Sequence, residues 1–289
     1  MGKRKRLMNL LYIPAILIMV CFVLYPLMRG IYISFFKWNG YSQNMAFIGL
    51  ENYIDLFSDK YFRSSFFNTL LYGFGSAFLQ NVFGLLLALF LNKKFKVRNL
   101  VRTIVYLPVM ISGLLMGYIM YFFFQLNYGV INEIFTYFGL EPVNWLADGT
   151  RGKIIITLVN SWQFVGIAMV IYLAGLQNIP AMYYEAAKLD GGSEWQVFRH
   201  VTLPLLIPAI TTAVIQNIIG GLKLNDVIIS LTNGGPTLKT HSLSTYISYT
   251  YFDAEKAGYA SAVGVFLFVF IFVISTMLTR YFRSKEVQY

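Results

Sequence analysis

The sequence predicts an all-α integral membrane protein with six transmembrane helices. Three observations carry that reading. The 289 residues are 57% hydrophobic and 12% charged, with a mean hydropathy of +0.60, which is too apolar for a soluble globule. Six stretches, at 9–33, 66–92, 101–126, 154–176, 205–228 and 259–282, reach the about 20 residues a helix needs to cross a hydrocarbon core. The segments between them are short, so the chain reads as a single transmembrane domain over residues 1–289.

The first span follows Lys3, Arg4, Lys5 and Arg6. Its apolar run from Leu7 to Ile33 is long and has no small-residue cleavage site after it, so it reads as an uncleaved span and not a signal peptide. Cys21, alone of its kind, excludes an internal disulfide and reads as a small buried hydrophobe. The basic residues then orient the chain. The amino-terminal four, the 92–102 loop (Lys93, Lys94, Lys96, Arg98, Arg102), the 177–204 loop (Lys188, Arg199) and the tail (Arg280, Arg283, Lys285) lie on one side, fourteen of the 23 in all. Basic residues in short loops favour the cytoplasm, so both termini and the 177–204 loop are expected inside. The net charge of +10 reads as topology and contact with lipid headgroups, not as nucleic-acid binding.

No catalytic or metal site assembles. By this topology the two histidines, His200 and His241, fall on opposite sides of the membrane. There is no Cys/His cluster, no H-E-x-x-H and no G-x-S-x-G. The chain also lacks G-x-x-x-x-G-K-[ST], so any ATP-driven role needs a separate subunit. Matched inverted repeats, which would favour a secondary transporter, are not evident.

Residues 34–65 read as an outside loop whose aromatics suit the membrane interface. In the second span, Asn68, Gln80 and Asn81 read as contacts between helices. The third carries Leu107-Pro108 and a Gly113-x-x-x-Gly117 pair, expected to form a close packing face. Residues 129–148 are expected to include a short outer helix. The fourth span brings Asn160, Trp162 and Gln163. In the 177–204 loop, the run from Ala181 to Asp190 after Pro180 predicts a short helix ended by Gly191-Gly192. Pro204 and Pro208 resist straight continuation into the fifth span. An amphipathic helix lying in the membrane interface is the alternative account of that loop.

The fifth span holds Gln216, Asn217, Lys223, Asn225 and Asp226 around Gly220-Gly221. Polar groups inside a span face a cavity or a partner helix. Asn217, Gly221, Lys223, Asn225 and Asp226 are therefore the candidate lining of a substrate pathway, with helix–helix hydrogen bonding as the alternative. Lys223 and Asp226, three apart on one continuous helix, are expected to pair. Beyond the span, Leu231-Thr232-Asn233-Gly234-Gly235-Pro236 predicts a turn.

Two of these segments resemble one family. Tyr184-Glu185-Ala186-Ala187-Lys188-Leu189-Asp190-Gly191, running on to Leu203-Pro204 and Pro208, resembles the E-A-A coupling loop of permease subunits of binding-protein-dependent ABC importers. Leu231-Thr232-Asn233-Gly234-Gly235-Pro236, with Phe47-Ile48-Gly49-Leu50-Glu51-Asn52-Tyr53 and Phe67-Asn68-Thr69-Leu70, is similar to its carbohydrate branch, which serves maltose, lactose, multiple sugars and glycerol 3-phosphate. The resemblance covers nearly the whole chain and departs at Gly192, where the family often has alanine, a change expected to loosen the turn. It implies a type I importer permease whose coupling helix seats in an ATPase, with Glu185 as the charged contact. Ala186 and Ala187 would permit close approach, and Asp190 and Gly191 would end the helix. It further implies a second homologous permease, two cytoplasmic ABC ATPase subunits carrying ATP and Mg, and an extracytoplasmic solute-binding protein. This chain itself would hold no cofactor and no catalytic residue, and would sit in a bacterial plasma membrane. A neutral oligosaccharide is the expected cargo if Asp226 neutralises Lys223. Glycerol phosphate or an acidic sugar follows if Lys223 is open, and an amino-acid permease or a secondary transporter is the remaining alternative.

Overall fold

The computed structural model describes residues 12–285. Lys3, Arg4, Lys5, Arg6 and the start of the first expected span lie outside them. The chain divides into two compact units. One is drawn from the segment up to Lys60 with Tyr246–Val269, the other from Tyr61–Thr245 with the segment from Phe270 onward.

In the first unit, helix α1 (Tyr12–Ile33) is a candidate span with none of its apolar window buried inside the protein. A helix apolar all round needs a bilayer or a partner to cover it. Cys21 is accordingly exposed and not buried as expected, because none of the described residues covers α1. Strands β1 (Phe36–Lys37) and β2 (Ala46–Phe47) pair antiparallel, and helix α2 (Glu51–Ser58) follows. The Asn52-Tyr53 phrase is a clasp. Asn52 Nδ2 donates to the carbonyls of Ser34 (2.8 Å) and Phe36 (3.0 Å), and the hydroxyls of Tyr53 and Ser34 lie 2.7 Å apart. The Asp59 carboxylate accepts from Tyr246 (2.5 Å) and Tyr259 (2.7 Å).

The second unit is built on three helices: α3 (Lys60–Asn92), α7 (Gly149–Asn178) and α10 (Ile207–Leu222). Between α3 and α7 come α4 (Arg98–Met110), α5 (Gly113–Phe124) and the short helix α6 (Val130–Tyr137). Helix α8 (Ala181–Leu189) and helix α9 (Glu194–Leu205) lead into α10, and α11 (Asp226–Thr232) follows it. After a buried loop the chain continues as α12 (Leu243–Ser248) and α13 (Ala257–Arg283), of which Tyr246–Val269 belongs to the first unit.

Among the described residues four helices are long and apolar enough to span, and α4–α5 and α9–α10 pass the same test as bent pairs, giving up to six. The bends revise two expected straight spans. The third span turns by 100° between α4 and α5. The chain leaves the helix after the Leu107–Met110 turn, Ile111 is extended, and Ser112 caps α5 by accepting from Leu115 N–H. The fifth is entered through a 67° bend and is interrupted again at Lys223–Asn225. Gly113 and Gly117 do form a packing face, since a Cβ there would meet Asp226 Cβ at 2.8 Å and Ser230 Oγ at 1.8 Å.

Two apolar clusters define the ends of this unit. Tyr72, Met116, Ile156, Val159, Val227 and Ile228 pack together at one end. Ala88, Leu91, Ala168, Tyr172, Leu176 and Leu206 pack at the other, where α3, α7 and the entry to α10 converge.

Candidate substrate pathway and coupling segment

The break in the fifth span makes the site. Gly221 sets α10 against α3 so closely that a Cβ would fall 2.6 Å from the Tyr72 carbonyl oxygen and 2.8 Å from Gly73 Cα. One residue pair later the helix stops. Asn225 adopts φ −134° and ψ −61°, outside the helical region. The Leu224 carbonyl, released from the helix, accepts from the Ser242 hydroxyl at 2.7 Å. Broken backbone at membrane depth is tolerated only where such groups find partners or line a cavity.

Here both conditions hold. A cavity of about 280 Å³ opens at the break. Asn217, Gly221, Lys223, Asn225 and Asp226 all line it, so the five residues singled out from the sequence converge on one space. Around them the cavity also takes Gln80 from α3, Gly113 from α5, and Asn160, Phe164 and Ile167 from α7. Two of its buried amides have an atom without a hydrogen-bond partner, Gln80 Oε1 and Asn217 Nδ2. An unpaired buried polar atom costs about 1–3 kcal/mol, and both atoms are covered in the cavity wall. Amides, a carboxylate and an ammonium beside one aromatic ring can receive hydroxyl groups within a mostly apolar wall.

Several polar side chains, Gln80 and Asn160 of the lining among them, also tie helices together. Gln80 Nε2 donates to the Asn160 carbonyl (3.0 Å), and Asn160 Nδ2 donates to Ser76 Oγ (2.9 Å). Gln163 Nε2 holds the Ile111 carbonyl at the α4–α5 bend (2.9 Å), while Trp162 is half exposed. Asn81 Oδ1 accepts from Tyr172. Asn68 does not bridge two spans; its Nδ2 donates to the Lys239 (2.7 Å) and His241 (2.9 Å) carbonyls, clamping the loop beyond the glycine pair. The expected Lys223–Asp226 ion pair does not form. The interrupted helix removes the shared face that would have brought them together, and Asp226 Oδ1 instead accepts from Asn225 Nδ2 at 3.2 Å.

Gln80 and Asn160 were legible as polar residues in spans, but nothing in their local spacing ties them to the fifth. Ser242 gave no signal, because its role depends on a helix break eighteen residues away in the chain.

The candidate coupling segment lies at the other end of α10. Helix α8 carries Glu185 and Ala186 exposed, with Ala187 half-buried. It ends on Asp190 and Gly191, the latter at φ +76°. Gly191 N–H donates to Lys188 O (3.1 Å) and Gly192 N–H to Ala187 O (3.0 Å), the paired bonds of a Schellman ending. A Cβ on Gly192 would sit 2.9 Å from the Ala187 oxygen. Glycine there tightens the ending, contrary to the loosening expected. Ser193 and Gln196 then close a capping box on α9. Met182, Leu189 and Trp195 stand exposed on this segment, an apolar surface that invites a partner.

A helical membrane chain with a polar cavity at a broken span, and an exposed capped helix at the root of that span, belongs to the class of transport permeases. The comparisons make the class specific. Residues 80–286 match the model of the binding-protein-dependent transport system inner membrane component, and the chain belongs to that family. It is 36% identical to the probable starch degradation products transport system permease protein AmyD of Thermoanaerobacterium thermosulfurigenes, over 95% of this chain and 93% of that one. It is 32% identical to the trehalose/maltose transport system permease protein MalF of Thermococcus litoralis, over 98% and 96%. Among solved structures, it superposes with a TM-score of 0.83 and 28% identity on a chain of the bacterial alginate ABC transporter in complex with alginate pentasaccharide-bound periplasmic protein, covering 96% of this chain and 93% of that one.

Proposed function

We propose that this inner-membrane chain is one permease subunit of an ATP-driven oligosaccharide importer. The observation that carries the reading is that one unbroken helix, α10, joins the two working parts. Its Asn217 and Gly221 line the cavity, and its entry bend at Leu206 is buried at the root of the coupling segment. A displacement of α8 and α9 is therefore delivered to the cavity wall with little loss, since packed helices move as bodies.

The relatives support a saccharide as cargo, as two act on starch products or trehalose and maltose and a third structure carries an alginate oligosaccharide. The cavity's amides and Asp226 can take sugar hydroxyls and Phe164 can cover a sugar face, while Lys223, not neutralised by Asp226, adds a site for an acidic sugar. A binding protein on the outer face delivers the sugar. A second homologous permease supplies the other wall. Two ATPase subunits, which hold ATP and Mg, grip the coupling helices through Glu185, with Ala186 and Ala187 allowing close approach. ATP-driven closure turns the pathway outward, and hydrolysis resets it. This chain contributes pathway and force transmission, not bond chemistry.

The test is sugar-stimulated ATP hydrolysis by the reconstituted complex with its binding protein, comparing the parent with Glu185→Ala and Gly191→Pro. Loss of stimulation in assembled variants supports the reading. Transport that persists without ATP, or unchanged in both variants, overturns it in favour of a secondary transporter.

A further inference from the structure

We propose that the turn from Lys93 to Arg102 is a binding site for an anionic phospholipid, in the leaflet that the coupling segment shares. The proposal rests on the membrane reading above but not on the cargo or the ATPase.

The segment K-K-F-K-V-R-N-L-V-R carries five cations in ten residues, and no Asp or Glu occurs between Asp59 and Glu133. Among the described residues none of the five makes an ion pair, and Arg102 Nε is buried without a hydrogen-bond partner. Lys93, Lys94 and Lys96 are exposed, while Arg98 and Arg102 are half-buried and one helical turn apart. Contacts within the chain do not account for their placement. Arg98 is the first residue of α4, after Val97, which offers no side-chain cap. A cation there faces the positive end of the helix dipole, the less favourable end.

The rest of α4 supplies what a free anion would not need. Val101 and Val105 pack inward on the cluster holding Leu176 and Leu206. Leu100, Ile104 and Leu107 stand outward, each more than half exposed, at spacings of four and three that form one stripe. The cations thus sit at the head of an exposed apolar stripe. Phe95, in ring contact with Phe90 at 4.9 Å, holds the turn against α3. A phosphodiester headgroup with its acyl chains along the stripe satisfies both surfaces at once, and the charges are complementary. Basic residues near an anionic membrane surface each favour binding several-fold, less with added salt.

The test places a reporter on the stripe with Leu100→Trp, in the full complex in phosphatidylcholine nanodiscs. Quenching by brominated phosphatidylglycerol is compared with quenching by brominated phosphatidylcholine of the same chains, after subtracting the parent's native tryptophans. The expected preference for the anionic lipid is about three- to ten-fold. It should fall to within about two-fold of unity in K93Q/K94Q/K96Q, or in 1 M salt on the unaltered turn, and stay put in R280Q/R283Q. The salt arm needs no variant to fold. A ratio near unity for the parent turn overturns the proposal, as does a preference that survives both treatments. A ratio near unity with loss of ATPase co-purification in the triple variant would make the turn a protein contact instead. The readout uses neither sugar nor nucleotide, so failure of the importer reading would leave it unmoved.

Discussion

The Ser242 hydroxyl donates to the Leu224 carbonyl across 2.7 Å, and Ser242 is fully buried. This bond replaces a helical one lost where the fifth span breaks, so the loop past the glycine pair underpins the cavity. Ser242→Ala removes the partner of a buried carbonyl and is expected to cost about 1–3 kcal/mol. The check is a lower Tm of the purified complex together with reduced sugar stimulation of hydrolysis. An unchanged Tm and unchanged stimulation would show that the break stands without this prop.

Gly220 and Gly221 are adjacent in sequence and opposite in consequence. A Cβ on Gly220 meets nothing within 4 Å, whereas one on Gly221 strikes the backbone of α3. Gly220→Ala should therefore leave assembly intact. Gly221→Ala should force α3 and α10 apart at about 1–3 kcal/mol and abolish transport. Assembly yield and uptake of the two variants side by side decide the matter, and equal behaviour would refute the close crossing.

At the coupling end the backbone itself sets the prediction. Gly191 sits at φ +76° in open space, so its replacement is strained by conformation alone. Gly191→Ala should weaken the end of α8 by about 1 kcal/mol, and Ser193→Ala should weaken the start of α9 by a similar amount through loss of its cap. Both sit on exposed backbone, so the complex should assemble normally while sugar stimulation of hydrolysis declines. Loss of assembly instead would mean that this segment is needed to fold and not to transmit.

Much of this was legible because it rests on local chemistry. Long apolar runs specify spans, Pro180 and Gly191-Gly192 bracket α8, and the Gly113–Gly117 spacing foretells a tight contact. What stayed hidden is non-local. Pro108, Ser112-Gly113 and Gly220-Gly221 mark weak points near Ile111 and Lys223–Asn225, but their distance from tertiary partners in the chain hid that the helix breaks there, and Gln163 and Ser242 hold the freed carbonyls. The five fifth-span residues could be chosen from polarity alone, but Gln80 and Asn160 joined them only through the packing of α3 and α7. The same hidden break undid the expected Lys223–Asp226 pair, since helical spacing carries no meaning across an interrupted helix.

That missing pair yields the most discriminating prediction. Both side chains are exposed to the cavity, and Asp226 is engaged by Asn225 at 3.2 Å and not by Lys223. If they act separately, a double-mutant cycle on Lys223→Ala and Asp226→Ala should give a coupling energy below about 0.5 kcal/mol, within the range of independent sites. Stability of the purified complex is the first readout and the apparent KM for uptake is the second. With a neutral oligosaccharide, Asp226→Ala should raise KM by removing a hydroxyl acceptor, while Lys223→Ala should have the smaller effect. With an acidic oligosaccharide the order should reverse, because the ammonium then meets a carboxylate. A coupling above 1 kcal/mol in stability would mean that the two groups close on each other in the working cycle, and that the open arrangement at the break is one state of two.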